Sequence, residues 1–226
     1  MKKKYIKVYY FLNIKLDYET QKNYYKVLSM SKHLDLGCGR FPRNPLNQTE
    51  LFGVDIRDLK DVTFNYKQSN LITQKIPYPD NYFDSISAFD FIEHIPRIWI
   101  RSESETTFPF INLMNEIFRV LKNNGVFLAI TPAYPSKQAF QDPTHVNFIT
   151  KRTAKYFSGK KPLGKIYGFE GNFLLQENKF VPNNYLEIKF KSQISERLYL
   201  IYSKIKKKNT HLYWNLKKLI NKFNPL

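Results

Sequence analysis

From residue 33 onward, short apolar runs that suit strands alternate with segments long enough to hold helices, and this alternation restricts the fold more than any other feature. Strands joined by such crossovers pair in parallel within one sheet. The spacing predicts strands near 32–36, 51–55, 62–66, 83–89 and 125–131. Between the last two, Phe110, Ile111, Leu113, Met114, Ile117, Phe118 and Leu121 recur at helical spacing, and Asn123-Asn124-Gly125 ends that helix. Further along, Leu174–Gln176 and Tyr185–Phe190 are expected to form an antiparallel pair at the sheet edge. The stretch from Leu198 through Leu219, Ile220 and Phe223 reads as a basic amphipathic helix that docks on the domain, on a partner or on a membrane surface.

A chain of 226 residues fits one such α/β domain with a substantial core. The expected division is an N-terminal cap over 1–31, a core over 32–190 and a basic helical extension over 191–226. Cys38 is the only cysteine, so no intrachain disulfide can form, and the cytoplasm is the expected compartment. Met1-Lys2-Lys3-Lys4 imitates the start of a signal peptide, but Lys7, Asn13 and Lys15 break the apolar run that follows. No stretch approaches the roughly 20 apolar residues of a membrane span. The net charge of +17 is unevenly placed: residues 31–150 carry 12 Lys/Arg against 13 acids, whereas residues 151–226 carry 17 against 4. The basic flanks suit phosphates, nucleic acid or an anionic surface, and they also keep a chain of this composition soluble.

Asp35-Leu36-Gly37-Cys38-Gly39 ends the first strand and opens a loop where glycines let the backbone approach a ligand. Pro42 stands where a dinucleotide loop of the GxGxxG type would place its last glycine. A second acid, Asp55, ends the next strand, Leu51-Phe52-Gly53-Val54-Asp55, twenty residues after Asp35. A carboxylate at that strand end can hold both hydroxyls of a ribose.

These residues resemble the motifs of the class I S-adenosylmethionine-dependent methyltransferases, over roughly residues 32–190. The resemblance implies a Rossmann-like three-layer α/β sandwich with a seven-stranded, mostly parallel sheet and an antiparallel C-terminal hairpin. It implies S-adenosylmethionine as cofactor, with the Gly37-Cys38-Gly39 loop cradling the methionine part, Asp55 binding the ribose, and Asp35, Arg40, Ile56 and Phe89 also among the cofactor-binding residues. Asn70 and Leu71 would face adenine, Asn70 standing where the family usually has an acid. Ile76-Pro77-Tyr78-Pro79-Asp80-Asn81-Tyr82-Phe83 looks like the family's passage into that strand.

Strand four is followed by Asp90-Phe91-Ile92-Glu93-His94. If a helix begins there, Asp90, Glu93 and His94 share one face. His145, in Gln141-Asp142-Pro143-Thr144-His145, lies in the loop after strand five, beside it in this fold. The set is similar to the acid-x-x-Glu-His plus distant His of metal-dependent small-RNA 2′-O-methyltransferases and ubiquinone-pathway O-methyltransferases, which implies Mg²⁺ or Mn²⁺ on Asp90, Glu93, His94 and His145. Without metal, Glu93 can cap a helix while His94 and His145 serve as general bases. Ala88-Phe89-Asp90-Phe91 lacks the Asn/Asp-Pro-Pro-aromatic motif of base-amino methylation. Cys38 lies inside the cofactor loop, away from any role as a nucleophile.

The expected function is methyl transfer to an O or N atom of a small anionic metabolite, whether phosphorylated, nucleotide-linked or glycan-related. Loops 96–109 and 132–165 would set the acceptor. RNA ribose methylation is the alternative, supported by Lys151, Arg152, Lys155, Lys160, Lys161 and Lys206–Lys208 near Tyr156, Phe157 and Tyr167. A non-catalytic cofactor-binding scaffold is a third reading.

Overall fold

The computed structural model describes residues 30–219, so all but the last two residues of the expected N-terminal cap lie outside the described residues. Seven strands form one sheet in the order β3-β2-β1-β4-β7-β9-β8. β1 (Lys32–Leu36), β2 (Glu50–Asp55), β3 (Asn65–Gln68), β4 (Phe83–Phe89) and β7 (Leu121–Pro132) run parallel. β9 (His211–Lys218) is antiparallel to both β7 and β8 (Phe173–Val181). This is the expected Rossmann-like sheet with its antiparallel C-terminal pair. A separate hairpin, β5 (Trp99–Ser102) with β6 (Glu105–Thr107), occupies the loop expected over 96–109.

The central strands are buried on both faces, which is why they read as continuous apolar runs. α1 (Pro109–Val120) has its proline in the first turn, where no backbone donor is needed. It buries Phe110, Ile111, Leu113, Met114, Ile117 and Val120 against the sheet, at the spacing of one helix face. α1 leads into β7 through a bulge, the register jumping from Phe83↔Leu121 to Ser85↔Val126. Gly125 sits inside that bulge; a Cβ there would lie 2.8 Å from the Lys122 carbonyl oxygen. Among the described residues, α1 is the one α-helix that joins two parallel strands. The crossovers 37–49 and 56–64 are irregular loops rather than helices.

Two expectations change toward the C-terminus. Tyr185–Glu187 is a short 3-10 turn, not an edge strand, and β8 pairs instead with β9. Of the stretch expected to be helical from 198 to 223, residues 220–223 lie outside the described residues, and among the described ones the helix, α3 (Gln193–Ile205), ends at Ile205; the short α2 (Gln138–Gln141) precedes it in the chain. Ser192 and Ser195 form a capping box at the start of α3. Residues 211–218 then enter the sheet as β9. Leu212, Trp214 and Leu216 alternate into the main core, and Tyr213 faces a second cluster with Phe89 and Ile130. Lys218 is buried at the end of β9, where its Nζ donates to the carbonyls of Phe118 and Leu121 (both 2.7 Å) and to Asn81 Oδ1 (3.0 Å). It therefore satisfies carbonyls that the end of α1 leaves without helical partners.

Candidate active site

β1 and β2 end side by side, and their last residues shape one lip of the sheet's carboxyl edge. Gly37 and Gly39 take left-handed backbone angles (φ 65° and 57°). The Gly37 and Cys38 N–H groups donate to the Val54 carbonyl, folding the loop onto β2. A Cβ on Gly37 would lie 2.5 Å from the Phe91 ring, so only glycine fits. Asp55 accepts from Gly39 N (2.9 Å), Arg57 N (3.0 Å), Arg57 Nε (2.9 Å) and Arg57 Nη2 (2.8 Å). Burial opposes its ionisation, but the bonds from Arg57 and Gly39 outweigh it and hold the carboxyl at about 2.

Asp35 faces inward. It accepts from Arg43 N (2.8 Å) and from Ser87 Oγ (2.5 Å), and burial pushes its carboxyl up to about 6. Ser87 in turn contacts His33 Nε2 (2.8 Å), and Ser85 contacts His33 Nδ1 (2.7 Å). Ser87 spends its proton on Asp35, so His33 is the donor at Nε2 and the acceptor at Nδ1: a neutral ring, matching a pKa that burial lowers to about 4. Asp35 thus braces the loop from within. Cys38 is buried and unpaired, its thiol pushed up to about 12 by burial, so it carries no thiolate. Ile56 is exposed beside Asp55, Leu71 is buried, and Asn70 Oδ1 accepts from Ile72 N (3.1 Å) within a turn. Phe89 is buried beneath the Arg43 guanidinium, and Arg40 reaches the Lys60 carbonyl.

The other lip is built where β4 and β7 end. Ile92–His94 is a 3-10 turn rather than the start of an α-helix, so Asp90 does not share a face with Glu93 and His94. Asp90 sits at φ 46° and points its carboxylate at His211 Nε2 (3.2 Å). The expected four-residue set is therefore corrected to three: ligand atoms of Glu93, His94 and His145 lie within 4.8 Å of one another.

Backbone bonds from Val146 N and Asn147 N to the Glu93 carbonyl (3.0 and 2.9 Å) clamp the loop after β7 against this turn. Glu93 is 1% exposed, and its Oε2 accepts from Thr131 Oγ1 (2.9 Å). Its Oε1 lies 3.9 Å from His145 Nε2 and has no hydrogen-bond partner, as is also true of His145 Nδ1. Burial pushes the Glu93 carboxyl up to about 8. The His94 and His145 rings meet edge to face at 4.8 Å, and burial followed by repulsion from His145 lowers the His94 pKa.

The sequence reading missed three residues here. Thr144 Oγ1 donates to Asp142 Oδ1 (2.6 Å) and so accepts from His94 Nδ1 (2.9 Å). This fixes the His94 tautomer and leaves Nε2 with a free lone pair. Asp142 and Thr144 were visible in the same five-residue motif as His145, but nothing there distinguished a relay from a loop. The third residue, His211, was hidden in the stretch read as helix.

Residues 34–129 match the family described as a methyltransferase domain. Over that stretch, which is less than half of its length, the chain is similar to methyltransferase domains. The solved structures agree on the fold. An S-adenosylmethionine-dependent methyltransferase of Archaeoglobus fulgidus is 21% identical, with 93% of this chain and 99% of that one covered and a TM-score of 0.51. A complex of the Haloferax volcanii Trm112 methyltransferase activator with a methyltransferase gives 13% identity, coverage of 85% and 84%, and a TM-score of 0.52. An S-adenosylmethionine-dependent methyltransferase of Mesorhizobium loti gives 13%, 84% and 93%, and 0.50. No curated protein matches the chain. Among the described residues, no helix is long and apolar enough to cross a membrane.

Proposed function

We propose that this methyltransferase transfers the S-adenosylmethionine methyl group to an O or N atom of a small anionic acceptor, with His94 taking the acceptor's proton. The observation that carries the reading is the Asp142–Thr144–His94 relay, which leaves His94 Nε2 a base at the carboxyl edge of the sheet. The loop at the other lip fits the cofactor. Its two left-handed glycines open the backbone, Asp55 stays ionised at the end of β2 to receive ribose hydroxyls, and exposed Ile56 offers an apolar surface to adenine. Cys38, Arg40, Asn70 and Leu71 complete that wall, with Asp35 supporting the loop from within and Phe89 packed beneath Arg43.

The bound cofactor supplies a methyl group on a sulfonium, which leaves as a thioether. The acceptor's lone pair forms the new bond to carbon while its proton passes to His94 Nε2. Positioning does most of the remaining work. His145 and the Glu93 carboxyl close the far side. The buried, unpaired Cys38 thiol suits the reducing cytoplasm, where we place the enzyme.

A second reading is favoured by one observation: Glu93 Oε1 and His145 Nδ1 are buried without partners. Together with His94 they present two imidazoles and one carboxylate, a donor set suited to a divalent cation such as Mn²⁺, or Mg²⁺ with waters. Thermal unfolding with S-adenosylhomocysteine, and then with Mn²⁺, Mg²⁺ or chelator, separates these readings. Stabilisation by S-adenosylhomocysteine is expected, and its absence refutes the donor assignment. A further shift with metal, lost in Glu93→Gln, assigns the cluster to a cation; no metal response leaves His94 as a simple base.

A further inference from the structure

A cavity of about 620 Å³ lies between the start of α1, the segment 97–98 that leads into β5, and the segment 150–167. Its floor is apolar, with Phe110, Ile111 and Phe157 buried. Three cations, Arg97, Arg152 and Lys155, line it, and no carboxylate does. Among the described residues none of the three takes part in an ion pair. The mouth carries Phe108, Tyr156 and Tyr167, with Tyr156 and Tyr167 exposed and Phe108 packed 5.5 Å from the Tyr167 ring. Three cations with no ion-pair partner among the described residues, beside exposed rings, call for a ligand that is anionic at one end and flat and apolar at the other.

The cavity is joined to the proposed chemistry through Arg97, three residues past His94. Arg97 Nε donates to Asn147 Oδ1 (2.8 Å) and its Nη2 donates to the Phe148 carbonyl. Asn147 Nδ2 donates to the Ile92 carbonyl (3.0 Å) in the turn that carries Glu93 and His94. Arg97 is thereby held in place at the junction of cavity and reaction centre.

We infer that this cavity is a nucleoside-diphosphate subsite that holds the acceptor, with the diphosphate against Arg97, Arg152 and Lys155 and the base stacked among Phe108, Tyr156 and Tyr167. The volume lies within the range of about 300–1,000 Å³ typical of small-ligand sites. Guanidinium groups match phosphate oxygens in pairs, and base–aromatic stacking is sequence-tolerant. The inference rests on the methyl-transfer reading above and adds the class of acceptor.

Calorimetric titration of the full chain with uridine and adenosine diphosphates, in the presence and absence of saturating S-adenosylhomocysteine, tests it. Binding is expected in both conditions, and Arg152→Glu/Lys155→Glu should weaken it at least tenfold while leaving S-adenosylhomocysteine affinity unchanged. Tyr156→Ala should weaken the nucleotides but not inorganic pyrophosphate. Absence of nucleotide binding overturns the proposal. So does loss of binding when S-adenosylhomocysteine is present, equal affinity for pyrophosphate, or tighter, steeply salt-dependent binding of an RNA oligomer at the same residues. If S-adenosylhomocysteine itself fails to bind, the donor assignment falls, while the nucleotide titration still decides the subsite.

Discussion

Ser87→Ala should be among the most destabilising single-atom deletions available in this protein. Ser87 is fully buried, and its hydroxyl donates to Asp35 Oδ1 (2.5 Å) while accepting from His33 Nε2 (2.8 Å). Its removal leaves the His33 N–H without a partner in the core and strips Asp35 of one of its two donors, Arg43 N remaining. An orphaned buried polar group costs about 1–3 kcal/mol, and more beside a charge, so the two losses together come to about 3–5 kcal/mol. That is a large share of the roughly 5–15 kcal/mol that hold a typical domain folded. Urea unfolding at pH 7 reads it directly: with a slope of about 2–3 kcal/mol per molar, the midpoint should fall by about 1–2 M. Ser85→Ala removes only the donor to His33 Nδ1 and should cost less. A double-mutant cycle with Asp35→Asn should give a coupling of about 1–3 kcal/mol. Equal costs for Ser85→Ala and Ser87→Ala, or a midpoint shift for Ser87→Ala below about 0.2 M, would refute the reasoning.

Other outcomes follow from the same geometry. His33 is neutral in the fold with a pKa of about 4 against 6.5 in the unfolded chain, so its contribution is complete above pH 6.5 and is lost as pH falls toward 4. Between pH 7 and 5 the stability difference between the natural protein and His33→Gln should narrow by about 2 kcal/mol in urea titrations, and a flat difference would contradict the burial argument. Gly37→Ala forces a left-handed alanine against Phe91 and should cost about 2–4 kcal/mol by the same assay; a cost under about 1 kcal/mol would mean the loop can rearrange. Asp55→Asn should weaken S-adenosylhomocysteine about 10–100-fold by calorimetry, since hydroxyls bound to a carboxylate lose a charged acceptor, and unchanged affinity would remove Asp55 from the ribose site. Thr144→Val should lower kcat about tenfold with little change in KM and move the acidic limb of the pH–rate profile, whereas Thr144→Ser should restore both; a KM effect alone would argue against the relay.

The central parallel strands were legible because they bury both faces and announce themselves as apolar runs, and α1 because its periodicity is unbroken from Phe110 to Ile117, whereas the mostly exposed edge strand β3 lies at Asn65–Gln68 rather than over the expected 62–66. The C-terminal half was less legible. β9 ends in Lys217-Lys218, and basic residues after an apolar stretch look like the polar face of a helix. Only the tertiary structure gives Lys218 its carbonyl partners and so explains a lysine inside a sheet. At the site, His145 was expected beside Glu93 and His94 from the resemblance and from the neighbouring loops of such a fold, not from spacing, and ligand atoms of the three lie within 4.8 Å of one another. Asp90 was misplaced because a 3-10 turn, not an α-helix, follows β4, and the i, i+3, i+4 rule fails there. The relay through Thr144 depends on side-chain rotamers that no spacing encodes.

The position of β9 also constrains how the molecule comes into being. β7 is complete at Pro132, but its partner begins at His211, so 78 residues (133–210) must be made before the sheet can close. At about 5–20 residues per second, a nascent chain presents an unpaired, largely apolar β7 edge for about 4–16 seconds. A chain interrupted anywhere in that interval would keep the edge open permanently. Synthesis of this enzyme therefore passes through a sticky half-sheet, and its yield should depend on chaperones that shield β7 until β9 emerges.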